Sequence, residues 1–249
     1  MTEQEIQQAR ALKWRLDGHA VRTLEDARTF FESVGFCLMY PTRPSVLVPT
    51  FVGAWVGEDD RLPLQQHAFS DPRAKEATDL MVRALRAKAA YEAPLVDENN
   101  AFLVSPAAFP YFYALVGERN PNLAPKAGSR SGYSQLACDA FAIIRQKGPI
   151  SKRKLGELLG GGLSTAGSDR ALAELWAKLR ITRVDYSEDE GSVWDELSRR
   201  MGRVQGQSAL ACDLSRCGRS RGVAEESTER SRVHWHRHPY RANRRVEGL

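Results

Sequence analysis

The chain has 249 residues, 42% of them hydrophobic and 27% charged, enough apolar material for one or two domains with a sizeable core. It contains no run of eighteen apolar residues, and its start, Met1-Thr2-Glu3-Gln4-Glu5, lacks the basic-then-apolar order of a secretion signal. Neither an apolar membrane-spanning helix nor an ordinary secretion signal is expected, and a cytoplasmic protein with four reduced cysteines is expected. The formal net charge of +5 is unevenly placed: residues 198–249 hold twelve Arg, no Lys and five Asp plus Glu, leaving 24 Lys plus Arg against 26 Asp plus Glu in residues 1–197. Basicity is thus no argument for a nucleic-acid partner of the part that folds.

Thr2 and Glu5 have capping-box spacing and open a first helix whose stripe is Ile6, Ala9, Leu12 and Leu16, with Gly18 as its stop. Thr23 and Asp26 open a second, with Leu24, Ala27, Phe30, Phe31 and Val34 on one face and Gly35 behind it. Phe36–Tyr40 and Val46–Val52 are short β-favouring runs separated by Pro41 and Pro44, and residues 57–67 read as loop. Asp71-Pro72 marks another helix start, with Leu80, Met81, Ala84, Leu85 and Lys88 as its stripe and Pro94 barring continuation. Phe102–Val104 reads as a strand, and Ser105-Pro106 opens an aromatic helix ending at Val116. Residues 118–132 are rich in Pro, Gly, Asn and Ser, which places a linker at 121–132 between an α/β region, 1–120, and a second domain.

Three helices follow: Tyr133–Gln146, a short one capped by Ser151 with Leu155, Leu158 and Leu159 inward, and Ser168–Leu179 burying Leu172, Leu175 and Trp176. Gly160-Gly161-Gly162 lacks the Lys-Ser/Thr of a phosphate loop and reads as a helix stop. Ile181–Tyr186 and Ser192–Leu197 alternate as strands about an acidic turn, Glu188-Asp189-Glu190. This is the order of a winged helix-turn-helix, so 133–197 is expected to be a DNA-binding domain in an α+β, mostly helical chain. From Ser198 to Leu249 periodicity is lost, which suits a disordered Arg-rich arm or a shifted reading frame in a GC-rich gene.

On that fold the third helix would face the major groove with Thr165, Ser168, Asp169, Arg170, Glu174 and Lys178, the residues left once the buried stripe is removed. Lys152, Arg153 and Lys154 put three cations in a helix's first turn, against the dipole, an arrangement that costs stability until an anion such as a DNA phosphate arrives. The three carboxylates at the wing tip would be repelled from a minor groove, which suits a structural hairpin. Cys212, Cys217, His234, His236 and His238 lack zinc-finger spacing, Cys37 and Cys138 read as inert core thiols, and His19, His67 and Gln65-Gln66 form no catalytic pattern. Neither a metal nor a small-molecule cofactor is expected.

The run Gln7-Gln8-Ala9-Arg10-Ala11-Leu12, and above all Ala171-Leu172-Ala173-Glu174-Leu175-Trp176 leading into Ile181-Thr182-Arg183-Val184, resembles the AlkZ-type DNA glycosylases over about residues 5–197. The resemblance implies a winged-helix scaffold that binds double-stranded DNA, and excision of alkylated bases by a Gln-x-Gln or Gln-x-Asp motif that activates water. The matching positions are Leu38 and Tyr40: leucine holds no water, and a phenol with pKa near ~10 is a poor base at neutral pH. A DNA-binding relative without glycosylase activity is therefore expected; an active alkyl-base glycosylase and a winged-helix transcriptional regulator are the alternatives.

Overall fold

The computed structural model describes residues 2–42, 47–68, 70–94, 101–118, 120, 122–128, 132–160, 165–187 and 189–201. Its architecture is α+β, with nine α-helices and two three-stranded antiparallel sheets among the described residues.

Local capping chemistry sets most of the helix starts. Thr2 and Glu5 form a reciprocal box at the head of α1 (Glu3–Trp14), and Thr23 and Asp26 do the same for α2 (Leu24–Val34), each satisfying two backbone N–H groups that the helix leaves unpaired. Asp71 caps α4 (Pro72–Arg86) with proline in its first turn. The expected stripe of α1, however, meets no core: no residue of this helix is buried, and Leu12 is 63% exposed. The helix also stops before Gly18, at Arg15, which takes the left-handed conformation (φ 59°).

Three further expectations need correction. The run 46–52 is not a strand: Thr50 accepts a hydrogen bond from the Gly53 N–H and starts helix α3 (Phe51–Val56). A short apolar run carries no period long enough to separate the two states, so the cap decides. Helix α4 ends at Arg86, well before Pro94, because Lys88 turns left-handed (φ 56°) and Ala89 N–H bonds back to Ala84. Tyr91–Pro94 then forms strand β2, an edge strand that tolerates a terminal proline. Residues 198–201 are not part of a structureless tail; Leu197–Met201 form helix α9. Residues 202–249, with the cysteines and histidines considered for zinc, lie outside the described residues, as do Gly161, Gly162 and Glu188.

In the first half, β1 (Phe36–Leu38), β2 and β3 (Ala101–Val104) form a sheet of order β1-β3-β2, with Cys37 opposite Leu103 and Glu92 opposite Leu103 on the other side. Phe30 and Phe31 of α2 pack on Phe51 of α3 and on Leu80, Ala84 and Leu85 of α4. Phe31 and Phe51 stack at 5.2 Å and 10°. Helix α5 (Phe109–Val116) starts three residues after Pro106, once Ser105 has capped a turn through Ala108 N–H.

In the second half the order is α6 (Gln135–Lys147), β4 (Ile150–Ser151), α7 (Lys152–Leu158), α8 (Thr165–Ala177), β5 (Ile181–Ser187) and β6 (Gly191–Glu196). The sheet order is β4-β6-β5, with Ile150 opposite Trp194 and Ile181 opposite Glu196. Phe141 and Ile144 of α6, Leu155 of α7, Leu172, Leu175 and Trp176 of α8, and Ile181 and Trp194 of the sheet make one core.

In the Pro- and Gly-rich stretch between the halves, Asn120, Asn122 and Leu123 are tied to the second half. Arg180 donates to the carbonyls of Asn120 (2.9 Å) and Leu123, and Arg145 to that of Asn122 (3.2 Å). The halves share a third core in which Tyr91, Ala93, Val104 and Phe109 meet Leu179 and Leu197. Two ion pairs cross the same junction, Arg183–Glu92 at 3.0 Å and Arg86–Asp185 at 2.6 Å. A boundary legible in composition is not a boundary in packing.

Candidate nucleic-acid interface

The cations expected to await an anion lie at the turn from β4 into α7. Ser151 ends the strand and caps the helix, its hydroxyl accepting from Lys154 N–H at 3.2 Å. Lys152, Arg153 and Lys154 therefore occupy the first turn, where unpaired N–H groups and the helix dipole already disfavour positive charge. The structure supplies anions from within. Lys152 pairs with Asp169 of α8 at 2.5 Å, and Arg153 pairs with Glu190 of the β5–β6 turn. The Ser151 hydroxyl donates to the same Glu190 carboxylate, and the Glu190 carbonyl accepts from Arg153 N–H at 3.3 Å. That hydroxyl, with the guanidinium behind it, holds the Glu190 carboxyl below the usual carboxylate range. Lys154 is exposed and makes no ion pair among the described residues.

Helix α8 begins at Thr165, earlier than the spacing suggested, and this shifts which residues face out. Thr165, Ala166, Asp169 and Arg170 are exposed on its first two turns, next to the start of α7. Ser168 is a correction: at 4% exposed it faces inward, its hydroxyl 3.9 Å from where a methyl on Gly156 of α7 would sit. Two more expected contacts serve the fold. Glu174 accepts from Ser134 N–H at 2.7 Å at the head of α6, and pairs with Arg170 at 3.5 Å. Lys178 sets its ammonium 4.1 Å over the Tyr133 ring while its carbonyl accepts from Glu118 N–H.

The surface thus joins α7, the outer face of early α8 and the hairpin tip, but three of its four exposed or half-exposed cations, Lys152, Arg153 and Arg170, already meet carboxylates. Sequence spacing found the cations and missed their partners, because Asp169 and Glu190 reach them only across the fold.

The second candidate place is Leu38 and Tyr40. Leu38 is 5% exposed in β1, its N–H bonded to Pro49 O. The Tyr40 hydroxyl lies 2.8 Å from Thr78 Oγ1, and Thr78 donates its own proton to Ala74 O at 2.7 Å, so tyrosine is the donor to threonine. Burial pushes the phenol up from its ordinary value, the Thr78 hydrogen bond opposing and Asp71 adding to the rise. A phenol whose pKa is raised by burial is a poor general base at neutral pH. Replacing Tyr40 with phenylalanine is expected to cost about 1 kcal/mol, the worth of one hydrogen bond, by urea denaturation. Loss of a base-releasing activity in that variant, with the wild type active, would overturn the assignment.

No protein-family model, curated protein or solved structure matches this chain.

Other chemistry-bearing residues are accounted for locally. His19 pairs with Asp17 at 2.9 Å, and His67 Nδ1 accepts from Leu64 N–H at 3.3 Å in the tight turn Gln65–His67, where both glutamines face solvent. Cys37 is fully buried and burial drives its thiol pKa far up, whereas Cys138 is half-buried beside the second core. Among the described residues no cluster of His, Cys, Asp or Glu could hold a metal ion, and no helix is long and apolar enough to cross a membrane.

Proposed function

We propose that residues 133–197 are a winged helix-turn-helix that binds double-stranded DNA, α7 meeting phosphates and the outer face of α8 facing the groove, in a relative of the AlkZ-type glycosylases that has lost their hydrolysis. The order helix, strand, helix, helix, strand, strand, with the first strand on the outer side of the terminal hairpin, supports this reading. The observation that carries it is the exposed face of Thr165, Asp169 and Arg170 beside the cations of α7, although Asp169 and Arg170 are each paired within the fold. The contact is with backbone phosphates more than with bases, because Ala166 and the paired Asp169 offer little to read.

Loss of hydrolysis is the reading that Leu38 and Tyr40 support, since one is a buried leucine and the other a phenol bonded to Thr78. The test is salt-dependent binding of the full chain to duplex DNA. Lys154→Glu is expected to weaken binding to all duplex sequences alike and to lower the slope of log K against log salt by about 1. Wild-type affinity equal to that of an unrelated acidic protein would remove the proposal.

A further inference from the structure

Helix α5 covers one side and leaves the other bare. Phe109 is fully buried, its ring 4.6 Å from that of Tyr91, and Tyr113, one turn on, is half-buried against the same core. Tyr111 and Leu115 lie on the opposite side of the helix, also one turn apart, and are 60% and 79% exposed. The apolar surface continues beyond the helix. Phe112 meets Phe102 of β3 edge to face at 6.3 Å, and Phe102 meets Phe36 of β1 in the same way at 5.7 Å. Phe36 is exposed, as is Val116, one turn beyond Phe112. Elements β1, β3 and α5 together carry no charged residue.

We infer that this face of α5, β1 and β3 is where a second copy of the chain docks, each copy covering the other's aromatic patch about a two-fold axis. The area fits. The exposed parts of Phe36, Tyr111, Leu115 and Val116, with the half-buried Phe102 and Phe112, come to on the order of 500 Å² of apolar surface. A standard interface covers about 800 Å² of each partner, roughly 60% of it apolar, so the apolar share required of one copy is also about 500 Å². The charge pattern selects the occupant. A platform for single-stranded nucleic acid needs cations beside its rings, and a helix lying on a lipid surface needs a basic flank; none of the three elements supplies one. A two-fold pair sets a surface against its own copy, so any charge there would meet like charge. An uncharged face is free of that penalty. The inference stands apart from DNA binding by residues 133–197.

The experiment is sedimentation equilibrium of the full chain as wild type, Leu115→Glu, Tyr111→Glu and Leu12→Glu, with thermal melts as a check on folding and a second arm containing phosphatidylcholine vesicles. Leu12 is the control, an exposed leucine on α1. The wild type is expected to rise from one chain mass to a plateau at two, with a dissociation constant of about 1–100 µM. Leu115→Glu places a carboxylate within an uncharged contact and is expected to weaken association on the order of 100-fold, at little cost to the monomer because the site is so exposed. Tyr111→Glu, one turn away, should do the same, so a folding defect in one variant does not decide the result. Leu12→Glu should associate as the wild type does. A wild type that stays at one chain mass throughout overturns the inference, and its co-sedimentation with the vesicles would give the face to a lipid surface instead. Association as tight in Leu115→Glu and Tyr111→Glu as in the wild type overturns it too. So does equal weakening in Leu12→Glu, since any exposed leucine would then be responsible. A mass that climbs past two without a plateau overturns the closed pair.

Discussion

Replacing Arg183 with alanine is expected to destabilise the protein by about 3–5 kcal/mol at neutral pH, the cost of leaving a buried charge without its partner, with a fall in Tm on the order of 10 °C. Glu92 lies on β2 at 4% exposed, and its carboxylate meets the Arg183 guanidinium at 3.0 Å across the junction of the two halves. The guanidinium lies against two indoles that pack edge to face, 5.8 Å from Trp176 and 5.4 Å from Trp194. The Glu92 carbonyl fixes the same spot by accepting from Trp176 Nε1 and from Thr182 Oγ1. One carboxylate oxygen of Glu92 has no hydrogen-bond partner among the described residues, so almost nothing besides Arg183 stabilises the charge.

The loss should depend on pH in a definite direction. Burial raises the Glu92 pKa above its ordinary value, and Arg183 is the influence that lowers it. Between the unfolded and folded values the native state binds the extra proton, so stability falls as pH rises through that window and is fully present below the unfolded value. Without Arg183 the folded value climbs further and the window widens upward. The deficit of Arg183→Ala measured by urea denaturation should therefore shrink from pH 7.5 to pH 5, and adding Glu92→Gln should recover much of it at pH 7.5. A deficit of the same size at both pH values, unaltered by Glu92→Gln, would show that lost packing on the indoles is the whole effect.

The second large effect is expected at Phe141, 1% exposed at the centre of the second core. Phe141→Ala should cost about 3–5 kcal/mol, from lost burial and the cavity left behind. The ring is also the surface on which the Arg180 guanidinium rests, 4.7 Å from its centroid, while that guanidinium holds the carbonyls of Asn120 and Leu123. Because the halves share a core and two ion pairs, the damage should spread to residues 1–120 rather than melt 133–197 alone. Tryptophan fluorescence and far-ultraviolet dichroism should then report coincident urea transitions in the variant and the wild type. Two separated transitions would make the halves independent folding units.

Short-range chemistry accounts for what is legible in the sequence. The boxes at Thr2/Glu5 and Thr23/Asp26, and the cap and proline at Asp71-Pro72, hold because donor and acceptor lie within one helical turn of each other. The order of elements from 133 to 197 was legible for a related reason: its apolar stripes are long and strongly periodic. Where the pattern was short it failed. The run at 46–52 carried β-branched residues but answered to the Thr50 cap, and the two-residue strand Ile150–Ser151 left no trace because Ser151 reads equally well as a helix cap and serves as both.

The amino-acid sequence by itself determined where α1, α2, α4 and α7 begin, which faces of α2, α4, α6 and α8 are apolar, and that three cations stand in one turn of α7. Only the tertiary structure decided that α1 meets no core, that Ser168 faces inward, and that Glu190 and Asp169 answer the cations of α7. The division follows from range. Capping and periodicity act over three or four residues, whereas Glu190 meets Arg153 from 37 residues away and Glu92 meets Arg183 from the opposite side of the linker, distances over which only the packed chain brings charges together.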